Sequence, residues 1–461
     1  MKIYNSLTRI KEEFTPLKSG HVGMYVCGPT VYDEPHIGHA RSAYIFDVVR
    51  RYFEYRKYKV TFVRNVTDVD DKIIEKAKKE PAPEGLSAGV KNVSRRYLDA
   101  YHEDMKLLGI RPPGMEPKAT EYIAKMIKFI ELLIEKGRAY PAGGDVYFDI
   151  KKADRYGKLS NQNLDKMESG ARVAAGENKR DPMDFALWKK AKEEEPFWNS
   201  PWGPGRPGWH IECSAMSSDI LGEEFDIHGG GIDLIFPHHE NEIAQSEGAG
   251  KRFARYWMHN GLLTIKSEKM AKSLGNFISI KSFMSKYKDA DFLKLLFLNT
   301  HYRHPVDYTE EKIAGMRAEK ERIAIAMERM GRAGKAEPAR GSKKADGFRK
   351  KFEDAMDDDF NMPLALASVF EAVNEVNRNP DDTVFFKAAF ELISEIAGVF
   401  GLSLSISRDD SSPDVKSSID RRNAARKSGD YKEADRIRLE LLANGIILED
   451  TKDGTTWRKK I

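Results

Sequence analysis

The sequence contains few cysteines, no long apolar run and little excess of either charge. Its two cysteines, Cys27 and Cys213, can form one disulfide at most, so a disulfide scaffold is excluded and a metal-ligand or buried-thiol role is favoured. No apolar run reaches the roughly 18 residues of a membrane-spanning helix, and the polar start MKIYNSLTRIKEEF is unlike a secretory leader. We therefore expect a cytoplasmic protein without membrane contacts.

The composition indicates several globular domains and a basic carboxyl terminus. The 461 residues, 41% hydrophobic and 32% charged, suffice for about two to four domains. Residues 416–461 carry an excess of basic residues equal to the net charge of the whole chain, +4. This tail is a candidate nucleic-acid contact, although a solvated helix surface would carry the same charge.

The first clear unit of the sequence is a βαβ motif over residues 21–63. The apolar stretch Val22–Val26 predicts a buried strand, and Lys59–Val63 predicts a second one. Between them, apolar residues recur every three to four positions and predict a helix: Ala43, Phe46, Val49 and Phe53. The loop before this helix lies at the carboxyl end of a strand, where parallel sheets bind ligands.

Two histidines occupy that loop where the predicted helix begins. His36 and His39 are three residues apart and would share a helix face. Free N–H groups at a helix start attract phosphate, and Gly38 would let a ligand approach the backbone closely. The pattern favours the triphosphate of a nucleotide, whereas two surface histidines are the alternative.

A second group of chemically active residues surrounds a strand predicted at Glu224–His228. Gly229–Gly231 reads as a turn after that strand, and Pro237 as the first residue of a helix. Upstream, the proline- and glycine-rich loop Pro196–Gly208 leads through Trp209–Cys213 to a helix predicted at Ser214–Leu221.

The helix after Pro237 offers metal ligands. His238 and Glu242 are four residues apart, and His239 and Glu242 are three apart, so either pair could bind one ion. Two cysteine thiolates would complete a set suited to zinc, and the spacing does not choose between the histidines. Two buried thiols beside a salt-bridged helix are the alternative.

The remainder of the chain reads as an insertion, a basic loop, a helical region and a small tail. Residues 111–207 form the insertion, with a helix predicted at Tyr122–Lys136 and a strand at Asp145–Asp149. Lys269 and Lys272 lie in the loop Ser267–Asn276, where they could neutralise phosphate or simply face water.

Four helices are predicted next: Glu310–Met330, Phe348–Met356, Pro363–Arg378 and Thr383–Phe400. Linkers are predicted at Gly331–Gly347 and Ser403–Val415, before two helices and a hairpin that turns at Asp453–Gly454.

Several motifs resemble one enzyme family over nearly the whole length. His36-Ile-Gly-His39 and Lys269-Met-Ala-Lys-Ser273 resemble the two signatures of class I aminoacyl-tRNA synthetases, with Ala271 in place of the usual serine. Four further stretches resemble the cysteinyl-tRNA synthetase family in particular: Tyr25–Tyr32, Gly208–Met216, Asp226–Gly231 and Phe236–Glu242.

This resemblance implies an α/β fold of several domains. A Rossmann-type parallel-sheet catalytic domain would comprise residues 1–110 and 208–260, with 111–207 as an inserted connective region. Residues 261–308 would form the lysine-signature and stem-contact region, 309–402 an α-helical bundle, and 416–461 a small α+β anticodon-binding module.

The resemblance also implies the chemistry: ATP-dependent attachment of L-cysteine to tRNA(Cys) through a cysteinyl-adenylate, with one Zn²⁺ per chain and Mg²⁺ with ATP. Zinc would be bound by Cys27, Cys213, His238 and Glu242. ATP would be bound by His36, Gly38, His39, Gly229, Gly230, Lys269 and Lys272, of which the two histidines and the two lysines would be catalytic. The amino acid would be surrounded by Thr67, Trp209, His228 and Asp233.

Two other functions compete with this prediction. A cysteine ligase of thiol-cofactor synthesis would share the catalytic half but transfer cysteine to an amino-sugar amine. A non-catalytic zinc protein could bind RNA alone. The helical region and basic tail argue against the first, and the intact histidine and lysine signatures argue against the second.

Overall fold

Strands and helices alternate in the first part of the chain, and helices predominate after residue 280. The computed structural model describes residues 1–162, 178–270, 275–333, 342–379, 381–404, 413–451 and 454–459. The strands are β1 Lys2–Asn5, β2 Ile10–Glu13, β3 His21–Val26, β4 Lys59–Arg64, β5 Ala139–Ala142, β6 Asp145–Phe148, β7 Phe185–Lys190, β8 Gly205–Pro207, β9 Glu224–Gly231, β10 Phe253–Asn260, β11 Leu263–Ile265, β12 Glu268–Lys269, β13 Val306–Tyr308, β14 Ile446–Thr451 and β15 Gly454–Lys459. The helices are α1 Ile37–Tyr55, α2 Asp71–Lys79, α3 Leu86–Leu107, α4 Ile123–Glu135, α5 Trp209–Leu221, α6 Glu240–Gly248, α7 Ile280–Tyr287, α8 Ala290–Leu298, α9 Glu310–Ala333, α10 Lys343–Asp357, α11 Met362–Arg378, α12 Thr383–Phe400, α13 Pro413–Lys427 and α14 Tyr431–Ala443.

A four-stranded sheet in the order β10-β9-β3-β4 forms the centre of the amino-terminal part, and all its pairings are parallel. The predicted βαβ motif is confirmed, because β3 and β4 pair in parallel and α1 connects them. One face of the sheet packs on α1, and the other packs on α5 and the insertion. The carboxyl ends of the four strands therefore share one edge.

The glycines after the predicted strand Glu224–His228 do not form a turn. The strand continues through Gly231, and Gly229–Gly231 pair with Met258–Asn260 of β10. An added Cβ at Gly229 would lie 2.4 Å from the Phe46 ring of α1. Gly229 therefore permits close packing of α1 on the sheet, a requirement that the local sequence pattern could not distinguish from that of a turn.

The helix boundaries next to the metal-ligand candidates also differ from the prediction. Helix α5 begins at Trp209 rather than Ser214, because the run of helix breakers ends at its N-cap, Gly208. Helix α6 begins at Glu240, and a π-helical turn, Ile235–His239, precedes it. Phe236 is extended within that turn, as a residue before proline usually is.

The insertion contains an antiparallel sheet in the order β5-β6-β7-β8 and the predicted helix, observed as α4. The stretch predicted as an uninterrupted loop, Pro196–Gly208, contributes the short edge strand β8, where a proline is tolerated because one side of an edge strand is unpaired. Residues 163–177 lie outside the described part. The amino-terminal hairpin β1-β2 was not predicted.

The helical region confirms the four predicted helices as α9 to α12, and α12 packs on α1. The linker predicted at Gly331–Gly347 is shorter than expected, because α9 extends to Ala333 and α10 begins at Lys343. In the tail, two helices and the hairpin β14-β15 enclose a separate core of Ile419, Ile437, Leu441, Ile446 and Leu448. The predicted turn residue Asp453 is not described. Within the described ranges, no helix has the length and apolar character needed to cross a bilayer.

A buried ion cluster joins the region after α7 to the helical bundle. The Lys320 ammonium of α9 lies 2.8 Å from Asp291 and 2.7 Å from Asp289, and the Lys320 and Asp291 side chains are both 2% exposed. Burial would raise the pKa of Asp291, but Lys320 and Lys294 lower it. Asp291 also accepts hydrogen bonds from Ser403, so the cluster connects three segments.

We expect Lys320→Met to destabilise the fold by about 3 kcal/mol at pH 7, because the buried Asp291 carboxylate loses the nearer of its two lysine partners. A carboxyl group whose pKa is lower in the folded than in the unfolded state stabilises the fold at pH values above its unfolded pKa. This stabilisation is lost as the pH falls through the folded-state pKa. The difference from wild type should therefore shrink below about pH 4. Calorimetric unfolding at pH 7 and pH 3 tests this, with Lys312→Met, a half-exposed lysine of the same helix, as control. A loss that is independent of pH would contradict the role of Asp291.

Candidate active site

The carboxyl edge of the parallel sheet encloses a cavity of about 360 Å³. This cavity is lined by Cys27–Thr30, which follow β3, and by His36 and His39 at the start of α1. It is also lined by Asn260–Thr264, at the end of β10 and beyond it. The predicted nucleotide loop and one predicted metal ligand therefore border the same space.

The two signature histidines cap α1 with their own side chains. His36 is the N-cap, and its Nδ1 accepts a hydrogen bond from Gly38 N–H at 3.1 Å, while His39 Nδ1 accepts one from His36 N–H at 3.2 Å. Their rings stack with centroids 3.8 Å apart. The prediction that both imidazoles share one face is confirmed.

Gly38 is required for this stacked arrangement. An added Cβ would lie 2.9 Å from Cε1 and Nδ1 of His36, and 3.3 Å from the Met270 methyl group. The glycine thus makes room for the His36 ring, in addition to the ligand approach that the sequence suggested.

The metal-ligand candidates form a cluster of the partly buried Cys27, which follows β3, with the buried Cys213 of α5, His238 of the π turn and Glu242 of α6. The Sγ atoms of Cys27 and Cys213 lie 3.7 Å apart, and Cys213 Sγ lies 3.6 Å from His238 Nε2. Glu242 Oε1 lies 2.9 Å from His238 Nε2 and 3.6 Å from Cys27 Sγ. Tetrahedral zinc separates its donor atoms by roughly 3.3–3.8 Å, and these four distances lie in or near that range.

A fifth donor, His239, also reaches the cluster. Its Nε2 lies 3.2 Å from Cys27 Sγ, and one donor atom each from Cys27, His238, His239 and Glu242 lies within 4.8 Å of the others. Both histidines therefore point at the cluster, and the distances leave open which of them binds a metal.

The electrostatics of the cluster favour the metal-binding form of two candidate ligands, Cys213 and Glu242. Burial opposes ionisation of Cys213, but the hydrogen bond from the Cys27 thiol and the neighbouring His238 lower the pKa of Cys213 to about 6. Burial would likewise raise the pKa of Glu242, whereas His228 and His238 lower it to about 2. Burial, together with nearby imidazoles, lowers the pKa of His239 well below its usual value. Burial raises the pKa of Cys27, and Glu242 and Cys213 raise the pKa of His238 to about 10 although burial opposes its charge. Thiolate, carboxylate and neutral imidazole are the forms that bind zinc, so a zinc ion would have to displace the protons of Cys27 and His238.

Several partners that orient the candidate ligands were not predicted. His238 Nδ1 lies 3.0 Å from His210 Nδ1, and His239 Nδ1 lies 2.8 Å from His259 Nε2. The Asn65 side-chain oxygen accepts from Gly28 N–H at 2.9 Å and lies 3.7 Å from Cys213 Sγ. The position of Asn65 directly after β4 was the available signal, because polar side chains at strand ends reach the same edge.

The predicted cysteine contacts lie at two depths. Trp209 and Asp233 line the cavity, and the Trp209 ring stacks on His238 with centroids 4.0 Å apart. Thr67 and His228 lie behind it. The Thr67 hydroxyl donates to Glu212 at 2.6 Å, and His228 Nε2 lies 2.7 Å from Glu242 Oε2.

The other predicted ATP contacts also differ in placement. Gly229 and Gly230 are buried in β9, and of the three glycines Gly231 lines the cavity. Lys269 lies in β12, next to the cavity-lining Met270, and its side chain is outside the described part. Lys272 and Ala271 also lie outside the described residues.

Comparison with known proteins assigns the family. Residues 13–318 match the model of the class I (C) tRNA synthetase catalytic domain, 351–405 match the DALR domain, and 408–458 match the cysteinyl-tRNA ligase anticodon binding domain. Cysteine–tRNA ligases of Geobacter sulfurreducens and Alkalilimnicola ehrlichii are 48% and 49% identical, and each comparison covers 100% of both chains.

The chain belongs to the cysteine–tRNA ligase family. It is therefore an aminoacyl-tRNA synthetase, and the predicted family and fold class are confirmed. Neither competing function is favoured by these matches.

Solved structures support the fold. Methionyl-tRNA synthetase of Mycobacterium tuberculosis, in complex with methionyl-adenylate, has a TM-score of 0.63 at 14% identity, covering 83% of this chain and 92% of that one. A leucyl enzyme of Agrobacterium radiobacter K84, in a complex with tRNA, has a TM-score of 0.59 at 12% identity, covering 85% and 86%. At such identities the likeness concerns the fold alone.

We expect Gly38→Ala to raise the KM for ATP about tenfold, because the added Cβ displaces the His36 ring. Gly315→Ala is the matched control, since a Cβ at this helical glycine has nothing within 4 Å. The control should keep its KM and gain slight thermal stability. Steady-state ATP–pyrophosphate exchange measures both variants, and an unchanged KM in Gly38→Ala would contradict this role of the glycine.

Proposed function

We propose that the protein attaches L-cysteine to tRNA(Cys) in two steps at the cavity at the sheet edge, through a cysteinyl-adenylate. The observation that carries this proposal is that Cys27, of the metal-ligand cluster, and the His36–His39 pair border one cavity. Recognition of a thiol and binding of a triphosphate would thus take place side by side.

The proposed reaction has two steps, in which the histidines and lysines of the two signatures act on ATP. The substrate carboxylate attacks the α-phosphorus of Mg-ATP, and pyrophosphate leaves. His36 and His39, at the start of α1, hold the phosphates, and Lys269 and Lys272 neutralise the leaving group. The terminal adenosine hydroxyl of tRNA then attacks the adenylate carbonyl, and AMP leaves. Positioning and charge stabilisation suffice for both steps, so no enzyme nucleophile is required.

Cys27, Cys213, His238 and Glu242 are proposed to bind a zinc ion that selects the substrate. When bound, zinc would stabilise a substrate thiolate at neutral pH, which the hydroxyl of serine cannot match. The stacked Trp209 ring holds the His238 imidazole in place, and His228 holds Glu242 from the opposite side. A pocket that selects by shape alone rejects an amino acid of nearly the same shape only weakly. A bound zinc ion would therefore distinguish cysteine from serine without a separate editing domain.

The tRNA partner is supported by the carboxyl-terminal module. Its two helices and hairpin enclose their own core, and Arg422 joins α13 to β14 through Asp450 at 2.7 Å. A small acceptor such as an amino sugar would have no use for this module.

Charging of tRNA by the purified protein tests the activity as a whole. We expect radiolabelled cysteine to become acid-precipitable on tRNA(Cys) in the presence of ATP. Pyrophosphate exchange without tRNA charging would favour the amino-sugar ligase, and the absence of both activities would favour the non-catalytic RNA-binding protein.

The zinc set is tested by replacing one proposed ligand, Cys213, and the alternative donor, His239. We expect Cys213→Ser to lose bound zinc and cysteine activation together, because a neutral hydroxyl replaces a thiolate, whereas His239→Gln should retain one zinc per chain. Zinc is measured by mass spectrometry after dialysis. Asp219→Asn, on the same helix but paired with Lys125, is the control. Full activity of metal-free wild type would refute the zinc proposal.

Lys272→Ala should slow adenylate formation by about 10²-fold while zinc content is unchanged, because the leaving pyrophosphate loses a cation. The rate is followed by pyrophosphate exchange. Lys266→Asn, in the turn between β11 and β12, is the control, since asparagine tolerates the positive φ of 52° at this position. Equal rates for Lys272→Ala and wild type would remove its catalytic role.

A further inference from the structure

The segment that carries the signature lysines, residues 262–279, contacts α1 through the residues at its two ends. At its carboxyl end, Ser279 forms a β-bridge with His36. Ile37 N–H donates to the Ile278 carbonyl at 3.1 Å, and Ile280 N–H donates to the Pro35 carbonyl at 3.3 Å. The carboxyl end of the segment is therefore fixed to the first turn of α1 through the backbone.

At the amino end of the segment, the attachment to α1 is the side chain of Arg41. Arg41 is fully buried, and its guanidinium donates to the backbone carbonyls of Leu262, Tyr302 (3.3 Å) and His304. Burial lowers the pKa of Arg41 to about 10, which leaves the side chain charged at neutral pH. One side chain of α1 thus joins two separate chain segments.

These carbonyls belong to the junction from which the lysine segment starts. Leu262 immediately precedes β11, which pairs with β12 and β13, and β12 ends at Lys269. Gly261 N–H donates to Tyr302 O at 2.8 Å, and an added Cβ at Gly261 would lie 2.4 Å from the His304 carbonyl carbon. The junction is close-packed, so a shift of its carbonyls would be transmitted to β11 and β12.

We propose that Arg41 is a positioning residue that sets the amino end of the lysine segment relative to His36 and His39. Arg41 lies two residues after His39 on α1. The same helix therefore holds both the two histidines and, through Arg41, the junction. The planar guanidinium matches several carbonyls at fixed angles, which the point charge of lysine does not. This inference rests on the proposed function, in which the histidines and lysines act on one ATP molecule.

The consequence of losing Arg41 would be misalignment in addition to lost stability. Without the guanidinium, buried carbonyls lose their donor and the junction relaxes. A displacement of about 1 Å between catalytic groups can cost 10²-fold in rate. The effect should appear in adenylate formation rather than in zinc binding or cysteine affinity.

The test compares Arg41→Met with Arg51→Met. Arg51 lies on the same helix and also donates to backbone carbonyls, those of Gly398 at 3.1 Å and Gly109 at 3.4 Å, away from the lysine segment. We expect Arg41→Met to lower the kcat of pyrophosphate exchange by about 10²-fold and to raise the KM for ATP, with zinc content unchanged. Arg51→Met should lose thermal stability but keep its rate, and Arg41→Lys should recover part of the rate.

Amide hydrogen exchange provides a readout that is independent of activity. Arg41→Met should accelerate exchange in residues 262–269 and 302–308, and Arg51→Met in residues 395–401 instead. If both variants lose rate in proportion to their loss of thermal stability, Arg41 is structural only and the proposal is refuted. If the wild type shows no ATP–pyrophosphate exchange, the proposed function fails. The pattern of amide hydrogen exchange would still report whether Arg41 holds the junction.

Discussion

The parallel pairing of β3 with β9 is the constraint on which the site depends. It places Tyr25 opposite His228 and Val26 opposite Gly229, so Cys27 leaves the sheet where the strand leading to His238 and Glu242 also ends. Residues separated by about 200 positions thereby meet within hydrogen-bonding range. The pairing of β3 with β4 adds Asn65 to the same edge, and α1, which connects these strands, supplies the two histidines.

Burial of the imidazoles and the carboxylate of the cluster is tolerated because neighbouring polar groups offset the loss of water. Glu242 is fully buried but lies between His228 and His238, and His259 connects His239 to the Ser6 hydroxyl. Removing one member would leave another polar group unpaired in a low-dielectric interior, which is more costly than removing an exposed ion pair. The cluster therefore behaves as one unit that also fixes β1, through the loop that follows it, against the central sheet.

The sequence predicted the βαβ motif, the helical region and the tail because each has a local pattern of apolar residues. The resemblance of short motifs also pointed to residues that the structure brings to one sheet edge, such as Cys27, His36 and His39, and their roles stay predictions. It misplaced Gly229–Gly231 because close packing against Phe46 and a turn both require glycine. It missed His210, His259 and Arg41, whose partners are distant in the chain, and for these only the tertiary arrangement supplies the signal.

The capping of α1 by its own histidines has a consequence for ligand entry. The N–H of Gly38 already donates to the His36 ring, so this helix end is closed by an internal acceptor. An anion that arrives there must compete with an imidazole for that donor, and part of its binding energy is spent on releasing the ring. In return, the first turn of α1 is already ordered before an anion arrives, and binding exchanges one hydrogen-bond acceptor for another instead of ordering a flexible loop.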